Sequence, residues 1–379
     1  MKVNSPKLLL TVNVDWFFIS HRLCIAEQAV KEGWDVYVAC EDTGRVQEIE
    51  SKGITFINLP FSRSGTNLIS EIKTLFNFYK IYNKIKPDIV HHITLKPVIY
   101  GSVVSKLLGI HGIVNAISGL GYNFTSGRQS IVQKCMVRLM KYGFNQENLG
   151  VIFQNKDDHK EIDKLGILSS FNSVFFIKGS GVNLEVFEHS SFPKAEIIKI
   201  LLPIRMLWDK GVKEFRAATD LLKKNYKGKV LFVLSGLADT ENKAGVTESY
   251  LREWEEDGYV EWIGYQKDMV KIYQDSHIVV LPSYREGMPK SLIEACAIGR
   301  PIVTTNAIGC RECVDEGENG FKVPIKSINE LAKAIEKLIL DESLRKKMGV
   351  QSRLKAEKEF SQVMVVSKHL EIYNKLNEC

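Results

Sequence analysis

Two series of short apolar runs, each run followed by a segment of helical period, constrain this chain more than any other feature. In the first series Leu8 to Val14 has strand length. His21 to Gly33 has helical spacing at Leu23, Ala26, Ala29 and Val30, with Gly33 as its C-cap. Trp34 to Cys40 is a second strand, and Leu68 to Lys86 a long amphipathic helix stopped by Pro87. Asp88 to Ile93, Ile113 to Ile117 and Val151 to Gln154 continue as strands, with a helix at Pro97 to Gly109. The alternation then restarts. Ile198 to Pro203, Lys229 to Leu234, Tyr259 to Ile263, Ile278 to Leu281 and Pro301 to Thr305 read as strands; Val212 to Asn225 and Pro289 to Ile298 read as helices.

Repeated strand–helix units imply a parallel sheet covered by helices on both faces. A restart implies a second such sheet. Gly179-Ser180-Gly181 and the polar stretch His189 to Lys194 separate the series. The expected fold class is therefore α/β, with two tandem doubly wound, Rossmann-like domains. An N-terminal domain takes residues 1–185 and a C-terminal domain residues 190–360. Residues from about 361 to 379, with helical spacing at Val365, Val366, Leu370 and Tyr373, are expected to pack back on the first. Open α/β sheets bind ligands at the carboxyl edge of their strands, so this arrangement predicts an interdomain cleft for two substrates.

Composition excludes several classes. Apolar residues make up 45% and charged residues 25% of 379, which removes disordered and fibrous chains. The net charge of +6 is too mild to imply nucleic acid. Its distribution is uneven: residues 60–145 hold eleven Lys and Arg against Glu71 and Asp88 alone, a local charge of +9. That segment is either a solvated positive face or a surface for an anionic partner such as lipid. Leu68, Ile72, Leu75, Phe76 and Tyr79 share one helix face with Lys73, Lys80, Lys84 and Lys86 around it, which suits either packing on the sheet or lying at an anionic membrane. Seven scattered cysteines and a start without signal-peptide character point to a cytoplasmic chain with free thiols. No apolar run reaches the ~18 residues of a membrane span, so membrane contact, at the cytoplasmic face of the inner membrane, would be peripheral.

The chemistry concentrates in Ser283 to Pro301. A strand ends at Pro282, and Pro289 suits the first position of the next helix, because its missing N–H would have no helical partner there. The backbone N–H groups of Lys290 and Ser291 would point at a ligand above the helix start, an arrangement that binds phosphate. Glu286 in the loop and Glu294 one turn into the helix could each accept from vicinal hydroxyls, gripping the two sugar ends of a nucleotide-sugar. The alternative is a turn residue and a solvated helix residue.

This segment resembles the signature of the retaining family-4 glycosyltransferases of GT-B fold, E-G-x-P-x-x-x-x-E-A-x-A-x-G-x-P. It does so at Glu286, Gly287, Pro289, Glu294, Ala295, Ala297, Gly299 and Pro301. Arg205 with Lys210-Gly211 matches the family's R-x-x-x-x-K-G clamp. Gly181-Val182-Asn183 with Phe187 resembles its interdomain landmark, and Pro87 to His91 its P-D-V-V-H. The resemblance implies that Glu286 contacts the donor hexose, Glu294 binds the ribose, and Arg205 and Lys210 neutralise the leaving diphosphate. It also implies that Gly287, Met288, Pro289, Lys290 and Ser291 line the donor site and that Gly264 and Tyr265 contact a uracil base.

Two departures from the family pattern shape the acceptor side. The first strand-to-helix loop, Asn13 to Phe18, lacks the family's paired glycines, so Asp15, Ser20, His21 and Arg22 are expected to face the acceptor. Trp16, Phe17 and Phe18 either cap the core or form a lipid or sugar platform. Ser118 falls where many members carry a histidine beside the reacting carbon, with Gly119 next to it. The histidine's contact is therefore either lost or replaced, by backbone, by Ser118 as a catalytic candidate, or by a neighbour such as His91 or His92, which are otherwise structural residues. The subgroup resembles enzymes that add N-acetylated hexosamines to lipid-linked bacterial glycans.

The expectation is thus a retaining enzyme moving a hexose or N-acetylhexosamine from a UDP-sugar to a glycan acceptor, lipid-linked, in polysaccharide, lipopolysaccharide or capsule synthesis. It needs no cofactor besides the donor. No essential metal is expected, because no D-x-D or His/carboxylate cluster occurs, and Cys310-x-x-Cys313 reads as incidental. Two alternatives stay open: another GT-B chemistry (an epimerase or sugar-phosphate synthase), and a sugar-nucleotide-binding protein without turnover.

Overall fold

The computed structural model describes residues 5–60, 68–120, 131–239, 242, 244–256 and 258–378. It divides into two compact units, Met1–Ser180 with Val363–Cys379, and Gly181–Gln362.

The first unit is a seven-stranded parallel sheet of order β3-β2-β1-β4-β5-β6-β7. Its strands are β1 (Lys7–Val14), β2 (Asp35–Glu41), β3 (Thr55–Asn58), β4 (Ile89–Ile93), β5 (Gly112–Ile117), β6 (Leu149–Phe153) and β7 (Ser173–Phe176). The central strands are buried along nearly their whole length, which is why they read as continuous apolar runs. One face carries α1 (Asp15–His21), α2 (Leu23–Lys31), α3 (Val46–Glu50) and the C-terminal helix α14 (Gln362–Glu378). The other carries α4 (Leu68–Ile85), α5 (Leu95–Leu108), α6 (Ile131–Phe144) and α7 (Lys156–Lys164). On α14, Ile372, Tyr373 and Leu376 join the core of the first face.

The second unit is a six-stranded parallel sheet of order β10-β9-β8-β11-β12-β13. Its strands are β8 (Ile198–Pro203), β9 (Val230–Ser235), β10 (Val260–Trp262), β11 (Ile278–Leu281), β12 (Ile302–Thr305) and β13 (Gly320–Val323). Its helices are α8 (Val212–Tyr226), α9 (Glu248–Glu255), α10 (Met269–Gln274), α11 (Lys290–Ile298), α12 (Ile328–Leu340) and α13 (Glu342–Lys355). The first strand, β8, sits between β9 and β11. Chain order therefore reverses there, and the loops after β8 and β11 open side by side at the carboxyl edge.

The local differences from the sequence reading have physical causes. The expected loop at Asn13 to Phe18 is largely helix: α1 begins directly after β1, and Arg22 (φ −136°) separates it from α2. The edge strands β3, β7 and β13, of four residues each, are too short to show a period. Pro289 is the N-cap of α11 rather than its first helical residue.

Candidate functional site

In the second unit the two loops at the strand-order reversal are tied by backbone contacts. The Tyr284 N–H donates to the Asp209 carbonyl at 3.0 Å. Gly211 is left-handed (φ +79°), and a Cβ there would lie 2.2 Å from the Pro282 oxygen, so only glycine lets the strands approach this closely. Lys210, just before that glycine, thereby reaches across 76 residues of sequence. Its Nζ donates to Glu286 Oε1 at 2.6 Å, and the Ser283 hydroxyl donates to the same oxygen at 2.7 Å. The pair is mostly shielded, the two side chains being 17% and 18% exposed. A second backbone lock, Glu286 N–H to the Ile308 carbonyl at 2.9 Å, holds the loop against the turn after β12. Arg205 follows β8 on the same edge; it is 59% exposed and 3.6 Å from Asp239.

The second carboxylate sits inside the fold. Glu294 is buried on α11 and accepts from the Tyr273 hydroxyl at 3.2 Å, with Lys290 Nζ at 3.6 Å from its other oxygen. Burial pushes its carboxyl above the ordinary range, against the opposing pull of Lys290 and Tyr273. The same hydroxyl lies 3.0 Å from the Ser291 carbonyl, so its one proton is shared between that oxygen and Glu294, which ties the carboxylate to the first turn of the helix. That turn's ladder begins at Leu292 N–H to the Pro289 carbonyl, and the positive end of the helix dipole favours an anion there.

Glu286, Gly287, Lys210, Arg205, Pro289, Lys290, Ser291 and Glu294 are thus gathered by two neighbouring loops and one helix start. Met288 is a correction: its side chain is buried in the core with Cys313 Sγ at 3.5 Å from its sulfur, so only its backbone faces the loop. Gly264 (φ +64°) and Tyr265, 68% exposed, follow β10 at the outer end of the same edge. Cys310 and Cys313 are buried, and burial raises both thiols, which keeps them in the unreactive protonated form. Among the described residues no group of three or more His, Cys, Asp or Glu side chains could hold a metal ion.

The first unit corrects several acceptor-side expectations. Asp15 is fully buried and bonded to its own chain: it accepts from Thr43 N at 2.6 Å, Arg45 N at 3.2 Å, Trp16 N at 2.6 Å and the Thr43 hydroxyl. Burial pushes its carboxyl up, but these bonds outweigh it and hold the group below the usual carboxylate range. It pins the turn after β2 and does not face a ligand. His91 and His92 are also buried: His91 Nδ1 pairs with the Tyr373 hydroxyl at 2.6 Å. His92 donates from Nδ1 to Asn115 Oδ1 at 2.7 Å and accepts from Tyr82 at 2.9 Å. Burial lowers both histidines, His92 to about 4, so they stay neutral structural groups. Phe18 is core and Trp16 is 40% exposed. His21 stacks on Phe17, centroids 4.1 Å apart.

Ser118 and Gly119 follow β5 at the carboxyl edge and are half-buried. Arg22, which the break between α1 and α2 turns inward, is 2% exposed and donates to the His21 carbonyl at 2.8 Å and to Ser118 Oγ at 3.4 Å. Sequence reasoning missed this link, as it missed Tyr273 beneath Glu294. Neither has a sequence signal, because 96 and 21 residues separate the partners. Ser283 did have one, three residues before Glu286.

Comparison with known proteins agrees with the geometry. The family model described as "Glycosyl transferases group 1" matches residues 187–355, and "Glycosyl transferase 4-like" matches residues 7–155. The chain is 27% identical to N,N'-diacetylbacillosaminyl-diphospho-undecaprenol alpha-1,3-N-acetylgalactosaminyltransferase of Campylobacter jejuni, over 92% of this chain and 93% of that protein. It is also 27% identical to the capsular polysaccharide biosynthesis glycosyltransferase CapM of Staphylococcus aureus, over 91% and 90%. The solved structure of HepE from Anabaena in complex with UDP superposes with a TM-score of 0.78 at 17% identity, covering 98% of this chain and 100% of that one. Two sheets of Rossmann type, the loop-and-helix site and both family matches lead to one assignment: the chain belongs to the group 1, family-4-like glycosyltransferases and has the GT-B fold.

Proposed function

We propose that the enzyme transfers a hexose or N-acetylhexosamine from a UDP-sugar, with retention at the anomeric carbon, to a lipid-linked glycan in bacterial surface polysaccharide synthesis. One observation carries the donor half of this reading: the cation of Lys210 and the hydroxyl of Ser283 converge on one oxygen of Glu286, beside the start of α11. A carboxylate held so firmly keeps its second oxygen for the sugar. The ammonium has further N–H donors for a phosphate oxygen, so Lys210 can link Glu286 to the diphosphate. Arg205 supplies a second, solvent-facing cation, and the helix start a third positive element. Together they oppose the charge that grows on UDP as it leaves. Glu294 takes the ribose hydroxyls.

In the reaction the C1–O bond to the diphosphate breaks and a bond from the acceptor oxygen to C1 forms on the same face. The leaving phosphate oxygen takes the acceptor's proton. Glu286 stabilises positive charge on the sugar from the other face. The acceptor half rests on the lipid-linked substrate named for the Campylobacter relative. The same reading has the enzyme cytoplasmic, in peripheral contact with the cytoplasmic face of the inner membrane. No helix among the described residues is long and apolar enough to cross a membrane.

Thermal stabilisation by UDP and a panel of UDP-sugars tests the donor site. Saturation at 100 times Kd adds ~2.7 kcal/mol. The shift should vanish in Glu294→Ala, while Glu286→Gln should bind UDP and lose turnover. Full turnover in Glu286→Gln, or stabilisation by GDP and not UDP, would overturn the reading.

A further inference from the structure

Glu214 is an acid where the packing of its helix does not call for one. It stands in the first turn of α8, just after the left-handed Gly211, and is only 7% exposed. Among the described residues no cation pairs with it. An acid at this position commonly turns back to the N–H at the helix start. Here the Gly211 N–H is taken by the Trp208 carbonyl at 3.1 Å. Glu214 instead reaches a residue 70 positions away: the Tyr284 hydroxyl donates to its Oε1 at 2.7 Å. Its Oε2 is buried and has no partner in the protein. A buried carboxylate with so few hydrogen bonds costs stability, because water would satisfy both oxygens.

Tyr284 belongs to the loop that carries Glu286 and follows Ser283, which donates to that acid. Its N–H donates to the Asp209 carbonyl at 3.0 Å, beside Lys210, while its hydroxyl holds Glu214 at the far end of the ring. Two anchors at opposite ends of one residue stop the loop from pivoting about either. Lys326 covers the ring face, with Nζ 4.9 Å from the centroid. Burial raises the phenol above its ordinary range and the adjoining Glu214 raises it further, so Tyr284 stays the donor at neutral pH. The Lys210–Glu286 pair is thus framed on one side by the tyrosine backbone bond and on the other by a bond that only a buried acid on α8 supplies.

We propose that Glu214 is a positioning residue for the transfer reaction: through Tyr284 it fixes the loop carrying Glu286 to the segment carrying Lys210, and so sets where the second Glu286 oxygen points. Glu214 itself touches no substrate. The proposal rests on the reading that Glu286 acts on the donor sugar.

Three variants of the full chain separate positioning from packing: Tyr284→Phe, Glu214→Gln, and Glu214→Leu combined with Tyr284→Phe. Melting temperature, kcat and the affinities for UDP and for UDP-sugar without acceptor are measured for each. Tyr284→Phe strands the buried acid and should melt below the parent. The double variant removes the acid as well and should melt at or above the parent, because apolar replacement of both partners of a buried pair is nearly neutral or stabilising. The rates should not follow that order. Both should lose about tenfold in kcat, the double no more than the single, because each breaks the same link. Glu214→Gln, whose amide oxygen still accepts from the phenol, should stay within about threefold of the parent. UDP should bind all three like the parent, since Glu294, Arg205 and the start of α11 are untouched. The gain in affinity from UDP to UDP-sugar should shrink in the two variants that lose kcat. A kcat within about twofold of the parent in the double variant would overturn the proposal. So would a kcat that tracks melting temperature across the three variants, since the pair would then serve folding alone. If the parent turned over no UDP-sugar, loss of the sugar's share of affinity in these variants would uphold the tether and refute the proposed reaction instead; an unchanged share would overturn both.

Discussion

Replacing Gly309 by alanine tests whether turnover depends on where the backbone holds Glu286. Gly309 is left-handed (φ +81°) and packs under the Glu286–Gly287 peptide; a Cβ would lie 2.4 Å from the Glu286 oxygen and 2.6 Å from its carbonyl carbon and from the Gly287 oxygen. Ordinary contact begins near 3.4 Å, so the loop must retreat by roughly 1 Å. That movement strains the Glu286 N–H bond to the Ile308 carbonyl and pulls the carboxylate from Lys210 and Ser283. A misplacement of ~1 Å at a reacting centre costs ~10²-fold in rate. The matched control is Gly317→Ala: the same backbone region (φ +76°) with nothing within 4 Å of the new methyl. It should lose only the left-handed penalty of ~1 kcal/mol, or about 2–4 °C in a domain of this size. Gly309→Ala should lose about 3 kcal/mol, stay folded at 25 °C, and fall ~100-fold in kcat with UDP binding retained. Calorimetry and initial rates with donor and acceptor measure both. If Gly309→Ala turned over within about threefold of Gly317→Ala, the position of Glu286 would not control the chemistry, and the role assigned to the Lys210–Ser283–Glu286 cluster would fail.

Other outcomes follow from the same contacts. Burial holds His92 and His277 near 4 and His369 near 3, so the unfolded chain binds protons below pH ~6.5 that the native one refuses. Stability should therefore be complete above pH ~6.5 and fall by ~1.4 kcal/mol per pH unit per histidine down to pH ~4. His92→Gln should flatten that slope by one histidine in denaturant titrations across this range, and an unchanged slope would show that His92 titrates normally. Asp15→Asn turns one of the two carboxylate oxygens, which accepts two of the four hydrogen bonds, into an amide donor and should destabilise by ~2 kcal/mol at pH 7; the loss should shrink below pH ~4, where the unfolded carboxyl protonates while the native one, held lower, is still ionised. Initial rates in excess EDTA should match those without it, because Arg205, Lys210 and the start of α11 supply the positive charge; loss of activity restored by Mg²⁺ would refute that assignment.

Much of the architecture was legible in the amino-acid order because hydrophobic period and turn chemistry are local. Runs such as Ile198 to Pro203 and Ile278 to Leu281 begin and end in the structure where the sequence reading put them. The spacing of Glu286, Pro289 and Glu294 likewise placed one acid in a loop and one on a helix. Function within the site was less legible. Asp15, His91 and His92 carry ligand-like chemistry, yet their partners are Thr43, Tyr373, Asn115 and Tyr82, brought by β2, α14, β5 and α4. Helix α4 shows apolar residues on two sides, and only the sheet beneath it determines that Phe78 and Tyr82 go inside while Phe76 and Tyr79 stay out. The sequence by itself determined two doubly wound sheets and the residues available at their carboxyl edges, because periodicity acts over a few residues. The tertiary structure alone decided that Lys210 meets Glu286, that Tyr273 supports Glu294 and that Arg22 reaches Ser118, because strand order, not chain order, decides which distant side chains share a place from which water is excluded.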